Sequence, residues 1–182
     1  QVQPWVETYE VLFVNAFSSS RMRMSVLVKR VRDQSFVLFV KGADDVIVPL
    51  ALEERATTHL RGVCTRMAES GLRVMMMAKR ELGLKECKEY IKRYNEIQAL
   101  VEGRDDQMNI LAEGMEQKLT VVGVTGIEDK LQTNVSETIQ TIRAAHVKLW
   151  MLTGDKLTTA NTIALNTKLI TKDQRVLRLN IN

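Results

Sequence analysis

The residues best suited to chemistry in the last third of the chain are Thr153, Gly154 and Asp155, which follow one another directly. A threonine hydroxyl and backbone N–H groups can hold a phosphoryl oxygen, a glycine permits close approach, and a carboxylate can orient a hydroxyl or a water. An apolar run of strand type, 147–152, precedes them, and a helical pattern follows. Strand–loop–helix junctions bind ligands in open α/β sheets. The pattern predicts a phosphate-binding loop, although turn formation alone also explains such a tripeptide.

A second polar loop, Gly126–Lys130, follows the apolar run 119–124. Because the carboxyl ends of parallel strands meet at one edge of a sheet, we expect the two loops to lie side by side there. Asp129 and Lys130 are therefore candidates for positions near a phosphate. A solvated loop with an acid at a helix start explains them equally well. No nucleophile–base pair is evident, since His146 precedes a strand pattern and is better explained as structural.

A stretch rich in hydroxyls and arginines runs from Phe17 to Ser25 in the first part of the chain. An exposed phenylalanine there could stack on a heterocyclic base while hydroxyls bind the polar edge of that base. Lys41 and Gly42 end another strand pattern, where a small residue lets a ligand approach the backbone and the lysine reaches phosphate as a point charge. Arg73 opens a further strand. Taken singly, core packing is the commoner role for such a phenylalanine, and a surface charge for such basic residues.

Hydrophobic spacing predicts the elements that position these residues. Strand patterns, with a tight connection between the second and third, cover 11–17, 25–29, 36–41 and 73–79. Helical patterns, the first closed by a glycine at position 71, cover 52–67, 84–101 and 108–115.

The pattern changes near Lys118. The run 119–124 is typical of a strand buried on both faces of a parallel sheet. A helix that Asn134 can cap, the strand 147–152 and the helix 156–168 follow, which predicts a right-handed parallel βαβα unit. We therefore predict a mixed α+β domain over residues 1–118 and an α/β domain over residues 119–182.

Composition restricts the class of protein. The chain has 182 residues, of which 45% are hydrophobic and 26% charged, and a formal net charge of +4. These values are typical of a globular protein with an anionic small-molecule ligand and do not form a nucleic-acid footprint. No apolar run approaches the roughly 20 residues of a membrane span. Cys64 and Cys87 lie on apolar stripes, which predicts core roles and a reducing compartment. The chain begins with Gln1, so we expect a segment of a longer protein.

Five motifs together resemble those of the P-type ATPases, in the order and approximate spacing of that family. Their residues are most similar to those of the type IV subfamily, the phospholipid flippases. The motifs are Phe17–Val26, Lys41–Asp44, Gly71–Arg73, Gly126–Gln132 and Trp150–Lys156. The resemblance covers nearly the whole chain. It implies that residues 1–118 are most of a nucleotide-binding domain, incomplete at its N-terminus. It further implies that residues 119–182 are part of a phosphorylation domain with a haloacid-dehalogenase-like fold.

The resemblance also implies roles for the first set of candidate residues. Phe17 would stack on adenine, with Ser19 alongside. Lys41, followed by Gly42, would close the pocket for base and phosphate, and Arg73 would pair with a phosphate.

In the last part of the chain, the resemblance implies that Thr153, Gly154 and Asp155 border the γ-phosphoryl group of ATP. Asp129 and Lys130 would lie near the nucleotide or at an interdomain hinge. These two sets complete the candidate nucleotide-binding residues, and no residue of the chain is predicted as a metal ligand.

The sequence departs from the family pattern in two ways. Met22 stands where the family usually has a lysine, which removes one cation from the pocket. No Asp-Lys-Thr-Gly-Thr loop and no downstream Gly-Asp-Gly occur, so the phosphorylated aspartate and the magnesium ligands are missing. In-line phosphoryl transfer needs a positioned nucleophile and a metal clamp. We therefore expect no ATP turnover by this segment alone.

The resemblance implies a parent protein that uses ATP with Mg²⁺ to move a phospholipid across a membrane through an aspartyl-phosphate. It also implies an integral membrane protein that carries this segment on its cytosolic face and that can have an accessory subunit. Two alternatives stay open. One is a haloacid-dehalogenase-like phosphatase, although no Asp-X-Asp precedes Thr153. The other is a non-catalytic module for nucleotide sensing or protein interaction.

Overall fold

The computed structural model describes residues 6–128, 130–155, 157–177 and 179. The chain divides into two compact units. The first unit comprises Gln1–Cys64 and Met75–Thr125, and the second comprises Thr65–Val74 and Gly126–Asn182. Among the described residues, no helix has the length and apolar character that a membrane span requires.

A five-stranded sheet runs through the first unit, with its strands in the order in which they follow along the chain. The three pairings from the first strand to the fourth are antiparallel. The strands are β1 (Tyr9–Ser18), β2 (Arg23–Arg30), β3 (Phe36–Gly42), β4 (Arg73–Leu82) and β5 (Thr120–Ile127). The four strands predicted before residue 80 are thus confirmed, each slightly longer than its apolar pattern.

Helices fill the connections between strands and the end of the chain. They are α1 (Asp44–Ile47), α2 (Glu54–Glu69), α3 (Leu84–Gln98), α4 (Arg104–Met115), α5 (Val135–Ala144) and α6 (Leu157–Asn166), and a 3₁₀ turn covers Val48–Leu50. Gly71 follows α2 with a φ of +82°, the left-handed conformation that a closing glycine adopts readily. The predicted mixture of helices and strands is confirmed.

One face of the sheet forms the core of the first unit. Alternate side chains of the central strands point to this face, and Leu27, Leu38 and Met76 are fully buried. Helix α3 covers part of it, because Phe13 of β1 stacks on Tyr94 with ring centroids 4.6 Å apart. The burial of these large side chains is the main driving force for this unit.

The β2–β3 connection is the tight turn that the sequence predicts. The N–H of Arg30 donates to the carbonyl of Ser35 at 2.8 Å, and Gln34 takes a φ of +60°. Asp33 accepts from the Ser35 N–H at 3.1 Å and from its hydroxyl at 2.5 Å. These hydrogen bonds, led by that of the hydroxyl, lower the pKa of Asp33 to about 2.

The predicted βαβα unit does not form. Residues 147–152 are not a strand, and Trp150 and Leu152 are 82% and 96% exposed. A strand needs a partner for its backbone N–H and C=O groups, and the described residues after Ile127 contain no other strand. The strand predicted at 119–124 is confirmed as β5, but the expectation that it is buried on both faces is wrong. Strand β5 joins the edge of the sheet beside β4, and its Val122 is 63% exposed.

The prediction that Asn134 stands at the N-cap of the following helix is confirmed, but the side-chain hydrogen bond expected of such a cap is absent. Helix α5 begins after it, but Asn134 has a φ of +64° and its side chain makes no capping hydrogen bond. Asparagine tolerates the left-handed conformation better than most residues. Asn134 therefore contributes to the start of α5 through its left-handed backbone conformation.

Candidate nucleotide-binding site

The register of the sheet brings Phe17 and Lys41 to the same end of the sheet. Lys41 of β3 pairs with Met24 of β2 on one side and with Met77 of β4 on the other. Phe17 lies between the pairs Asn15–Ser25 and Ser18–Arg23, where the register of the β1–β2 ladder shifts, so its backbone is near the level of Met24. Because adjacent strands lie about 4.8 Å apart, the backbones of Phe17 and Lys41 are separated by two strand spacings, or about 10 Å.

Both side chains are accessible from solvent. Phe17 is 63% exposed, so it is not part of the core. Lys41 and Ser19 are exposed as well. An exposed aromatic ring and an exposed cation at one end of a sheet are available to a ligand that has a flat apolar part and an anionic part.

A cavity of about 500 Å³ opens beside Lys41 on the sheet face opposite the core. Its lining is mostly apolar and includes two cations, Lys41 and Lys79. The apolar lining residues are Met24, Val26, Phe39, Val40, Met77, Ala78 and Val122. Apolar walls with a few polar or charged groups are typical of small-molecule sites. Apart from Lys41, these lining residues were not predicted from the sequence, although the alternation of β2 and β3 places Met24 and Lys41 on one face.

Gly42 has a structural reason to be glycine. A Cβ at this position would lie 2.6 Å from the Cβ of Arg23 and 2.8 Å from the carbonyl oxygen of Met22. The space beside Gly42 is therefore occupied by the end of the β1–β2 turn. The sequence-based interpretation, that a small residue leaves room for a ligand here, did not include this contact. A role of Gly42 in ligand binding stays a prediction.

The second unit brings together three of its candidate residues. Arg73 Nη2 lies 3.3 Å from Asp155 Oδ1. The Thr153 hydroxyl donates to Asp155 Oδ2 at 2.9 Å and accepts from the Asp155 N–H at 3.1 Å. Gly154 between them has open space where a Cβ would be. Lys130 is exposed, and Asp129 lies outside the described residues.

The arginines of the Phe17–Ser25 stretch point away from solvent. Arg21 and Arg23 are 5% and 7% exposed, and both donate to the carboxylate of Glu116, which is fully buried. Ser25 also donates to Glu116, at 2.6 Å. The residue types of this stretch suggested a nucleotide-facing surface, and nothing in the sequence pattern pointed to Glu116. For the two arginines, the structure supports a role inside the first unit.

A polar chain extends this cluster toward α3. Asn15 Nδ2 donates to the Ser25 hydroxyl at 2.8 Å. The Tyr90 hydroxyl donates to Asn15 Oδ1 at 3.3 Å. Burial raises the pKa of Tyr90, so this hydroxyl keeps its proton and its donor role at neutral pH.

The residues present fit a nucleotide better than they fit a metal ion. The apolar cavity with its lysines suits a base and an anion, whereas no group of three or more His, Cys, Asp and Glu side chains in the described ranges could hold a metal. Asp155 offers one carboxylate, which Arg73 and Thr153 already engage. A Mg²⁺ ion that accompanies ATP would therefore need ligands from elsewhere.

Sequence comparison defines the family. The model of the family described as P-type ATPase, cytoplasmic domain N, matches residues 1–134. The chain belongs to this family, and the description places the matched region on the cytoplasmic side, as the sequence predicts.

The curated proteins to which the chain is similar include several phospholipid-transporting ATPases. Phospholipid-transporting ATPase 2 of Arabidopsis thaliana is 38% identical over 167 residues, which cover 92% of this chain and 15% of that protein. Phospholipid-transporting ATPase DRS2 of Saccharomyces cerevisiae is 36% identical over 175 residues, covering 94% and 13%. Phospholipid-transporting ATPase VD of Mus musculus is 35% identical over 188 residues, covering 95% and 13%. The predicted resemblance to phospholipid-transporting P-type ATPases is confirmed, and the chain spans 15% or less of the length of these relatives.

Proposed function

We propose that this chain is the ATP-binding part of a P-type ATPase, with adenine held beside Phe17 and the phosphates directed by Lys41. The observation that carries the proposal is the row formed by Met24, Lys41 and Met77 across β2, β3 and β4, beside a cavity of about 500 Å³. The exposed Phe17 of β1 lies at the same end of the sheet. The exposed ring supplies a stacking surface, and the lysine supplies a charge for phosphate. Membership of the N-domain family supports the same conclusion.

The affinity should be low. One stacked base is worth roughly 1–3 kcal/mol, and association costs about 4 kcal/mol or more in lost translational and rotational freedom. Met22 adds no cation to the pocket. A dissociation constant on the order of 1 mM, which corresponds to about −4 kcal/mol, fits this sum once lysine contacts are added.

In this proposal, Thr153, Gly154 and Asp155 border the γ-phosphoryl group, and Arg73 pairs with a phosphate. The ion pair between Arg73 and Asp155 supports a shared site for these residues within the second unit. Residues 119–182 are then part of a haloacid-dehalogenase-like phosphorylation domain that follows the nucleotide-binding domain of residues 1–118. Asp129 and Lys130 belong near the nucleotide or at the hinge.

For the whole protein, we propose phospholipid transport driven by ATP, as the names of the relatives suggest for those proteins. The use of Mg²⁺ and of an aspartyl-phosphate intermediate belongs to the same proposal and is what the resemblance to P-type ATPases implies. An accessory subunit belongs to the same proposal. This chain contains no Asp-Lys-Thr-Gly-Thr sequence. We therefore expect it to bind ATP without hydrolysing it.

The test is an ATP titration followed by NMR, with Phe17→Ala and Val14→Ala compared against the unaltered chain. Val14 is a suitable control because it lies on the same strand and is 50% exposed. We expect Phe17→Ala to weaken ATP binding about tenfold and Val14→Ala to leave it unchanged. Equal affinity in the Phe17→Ala variant would remove the basis for adenine stacking.

A further inference from the structure

A fully buried carboxylate lies on the core side of the turn that carries Ser19. Glu116 Oε2 accepts from Arg23 Nε at 2.5 Å, and Oε1 accepts from the Ser25 hydroxyl at 2.6 Å. Oε1 also accepts from Arg21 Nη2. Glu116 lies at the end of α4. More than 90 residues separate it from these partners in the sequence.

The position of Glu116 is electrostatically unfavourable apart from these contacts. It is the residue at which α4 ends, where the partial negative charge of a helix terminus disfavours a carboxylate. It is also fully buried, and a buried charge is costly unless it is paired. Hydrophobic burial alone would be better served by an apolar side chain. The role of the carboxylate therefore lies in its ion pairs with Arg21 and Arg23.

Arg21 depends on Glu116 for its orientation. Its Nε is buried and has no hydrogen-bond partner among the described residues. Its Nη1 reaches the carbonyl of Ala16 only at 3.5 Å, near the limit for a hydrogen bond. The contact with Glu116 is thus the close one. Without it, a buried guanidinium would be left largely unpaired, and Arg21 would turn toward solvent and carry its backbone along.

Arg23 transmits the same constraint to the backbone of the turn. Its Nη1 donates to the carbonyl of Arg21 at 3.2 Å. The next residue, Met22, has a φ of +47°, which is strained for a side-chain-bearing residue. The carbonyl of Met22 accepts from the Ala43 N–H at 3.2 Å, so the turn is also tied to the end of β3 beside Lys41.

We propose that Glu116 is a positioning residue for the nucleotide site. By holding Arg21 and Arg23 inward, it fixes turn 18–22, which keeps Phe17 and Ser19 exposed at the end of the sheet beside Lys41. The inference rests on the proposed nucleotide binding and adds to it a residue that touches no ligand. The conformation of the turn is the property that Glu116 controls.

The test separates positioning from stability with two variants of this chain. Glu116→Gln removes the charge and leaves two buried arginines poorly paired, so it can fail to fold. The second variant combines Arg21→Met, Arg23→Met and Glu116→Leu. Replacing a buried ion cluster with apolar side chains of similar volume is often neutral or stabilising, so this variant should stay folded while it loses the constraint on the turn. Glu113→Gln is the matched control. Glu113 also faces Arg23, but its side chain is 53% exposed and its carboxylate is 3.8 Å from the guanidinium, so its loss should not release the turn.

The readouts are the melting temperature, the dissociation constant for ATP by NMR, and hydrogen exchange of the Met22 and Ala43 amides. For the triple variant we expect a melting temperature within a few degrees of the unaltered chain, at least fivefold weaker ATP binding and at least tenfold faster exchange of both amides. Glu113→Gln should change none of the three. A folded triple variant with unchanged affinity and unchanged exchange would overturn the proposal.

The amide exchange distinguishes this proposal from the proposed function. If the unaltered chain shows no ATP binding, the proposed function fails, and the nucleotide role of Glu116 fails with it, even where exchange confirms control of the turn. If the unaltered chain binds ATP and the triple variant binds it equally well, only the positioning role is lost.

Discussion

Arg73 and Asp155 form an ion pair, with Nη2 and Oδ1 3.3 Å apart, although 82 positions separate them in the sequence. The pair has a consequence for ligand binding. The cation predicted to bind a phosphate already has an anionic partner, and Thr153 orients that partner by donating a hydrogen bond to its other oxygen. A phosphate must therefore compete with Asp155 for Arg73 or approach its free side.

The substitution Asp155→Asn should free Arg73 at little cost in stability. The Arg73 side chain is 55% exposed, and exposed ion pairs contribute between about 0 and 1 kcal/mol. We expect the free energy of unfolding to fall by less than about 1 kcal/mol, and inorganic phosphate to bind the variant more tightly. Urea unfolding and a phosphate titration by NMR check the two effects. Weaker phosphate binding would show that Asp155 does not compete with the anion.

The substitution Gly42→Ala should destabilise the first unit through a steric clash. The new Cβ would meet Arg23 Cβ at 2.6 Å and the Met22 carbonyl at 2.8 Å. Overpacking of this kind typically costs about 1–3 kcal/mol. Gly114→Ala in α4 is the control, because a Cβ there meets nothing within 4 Å and alanine favours a helix by about 0.5–1 kcal/mol. Urea unfolding should show opposite signs for the two variants, and equal effects would contradict the contact at Gly42.

The pH dependence of stability should include a contribution from Asp33. Its pKa is about 2 in the folded chain, below the ordinary value of 3.8, because Ser35 donates two hydrogen bonds to the carboxylate. A depressed folded pKa means that this stabilisation is present above pH 4 and is lost as pH falls toward 2. Ser35→Ala should raise the pKa of Asp33 and flatten the pH dependence in this window. NMR titration of the Asp33 carboxyl carbon tests this, and an unshifted pKa in the variant would refute the cause.

Cys87 should not react with thiol reagents while the chain is folded. It is fully buried, and burial raises the pKa of its thiol, so both access and thiolate formation are suppressed. Cys64 is 2% exposed. At pH 8 we expect negligible labelling by a disulfide reagent in buffer and labelling of both cysteines in denaturant. Rapid labelling of Cys87 in buffer would contradict its place in the core.

Local patterns predicted the elements that depend on neighbouring residues. The β2–β3 hairpin is an example, because alternation along each strand and the polar turn at Asp33 specify it within about 20 residues. The run 147–152 has an equally apolar pattern and forms no strand, because a strand also requires a partner that the pattern does not reveal. The same limit explains β5, whose apolar run was expected to be buried on both faces and lies at the edge of the sheet beside β4.

The candidate site also divides into features that local sequence could predict and features that depend on distant residues. The exposure of Lys41 agrees with its residue type and its place at a strand end. The 63% exposure of Phe17 is not what its residue type alone predicts, since core packing is the commoner role of phenylalanine. Alternation along β2 could have placed Arg23 on the same face as the buried Leu27, because the two residues are four positions apart and side chains at even spacing share a face. Its partner Glu116 could not be found in this way, since that contact joins positions more than 90 residues apart.

The central claim, that ATP binds at the sheet end defined by Phe17 and Lys41, is tested most directly by mapping backbone amide shifts of the unaltered chain during an ATP titration. We expect the largest concentration-dependent shifts at Phe17, Met24, Lys41 and Met77, with half-saturation at about 1 mM. Saturable shifts clustered on α3 and α4, or no saturable shifts at the four sheet residues, would contradict the claim.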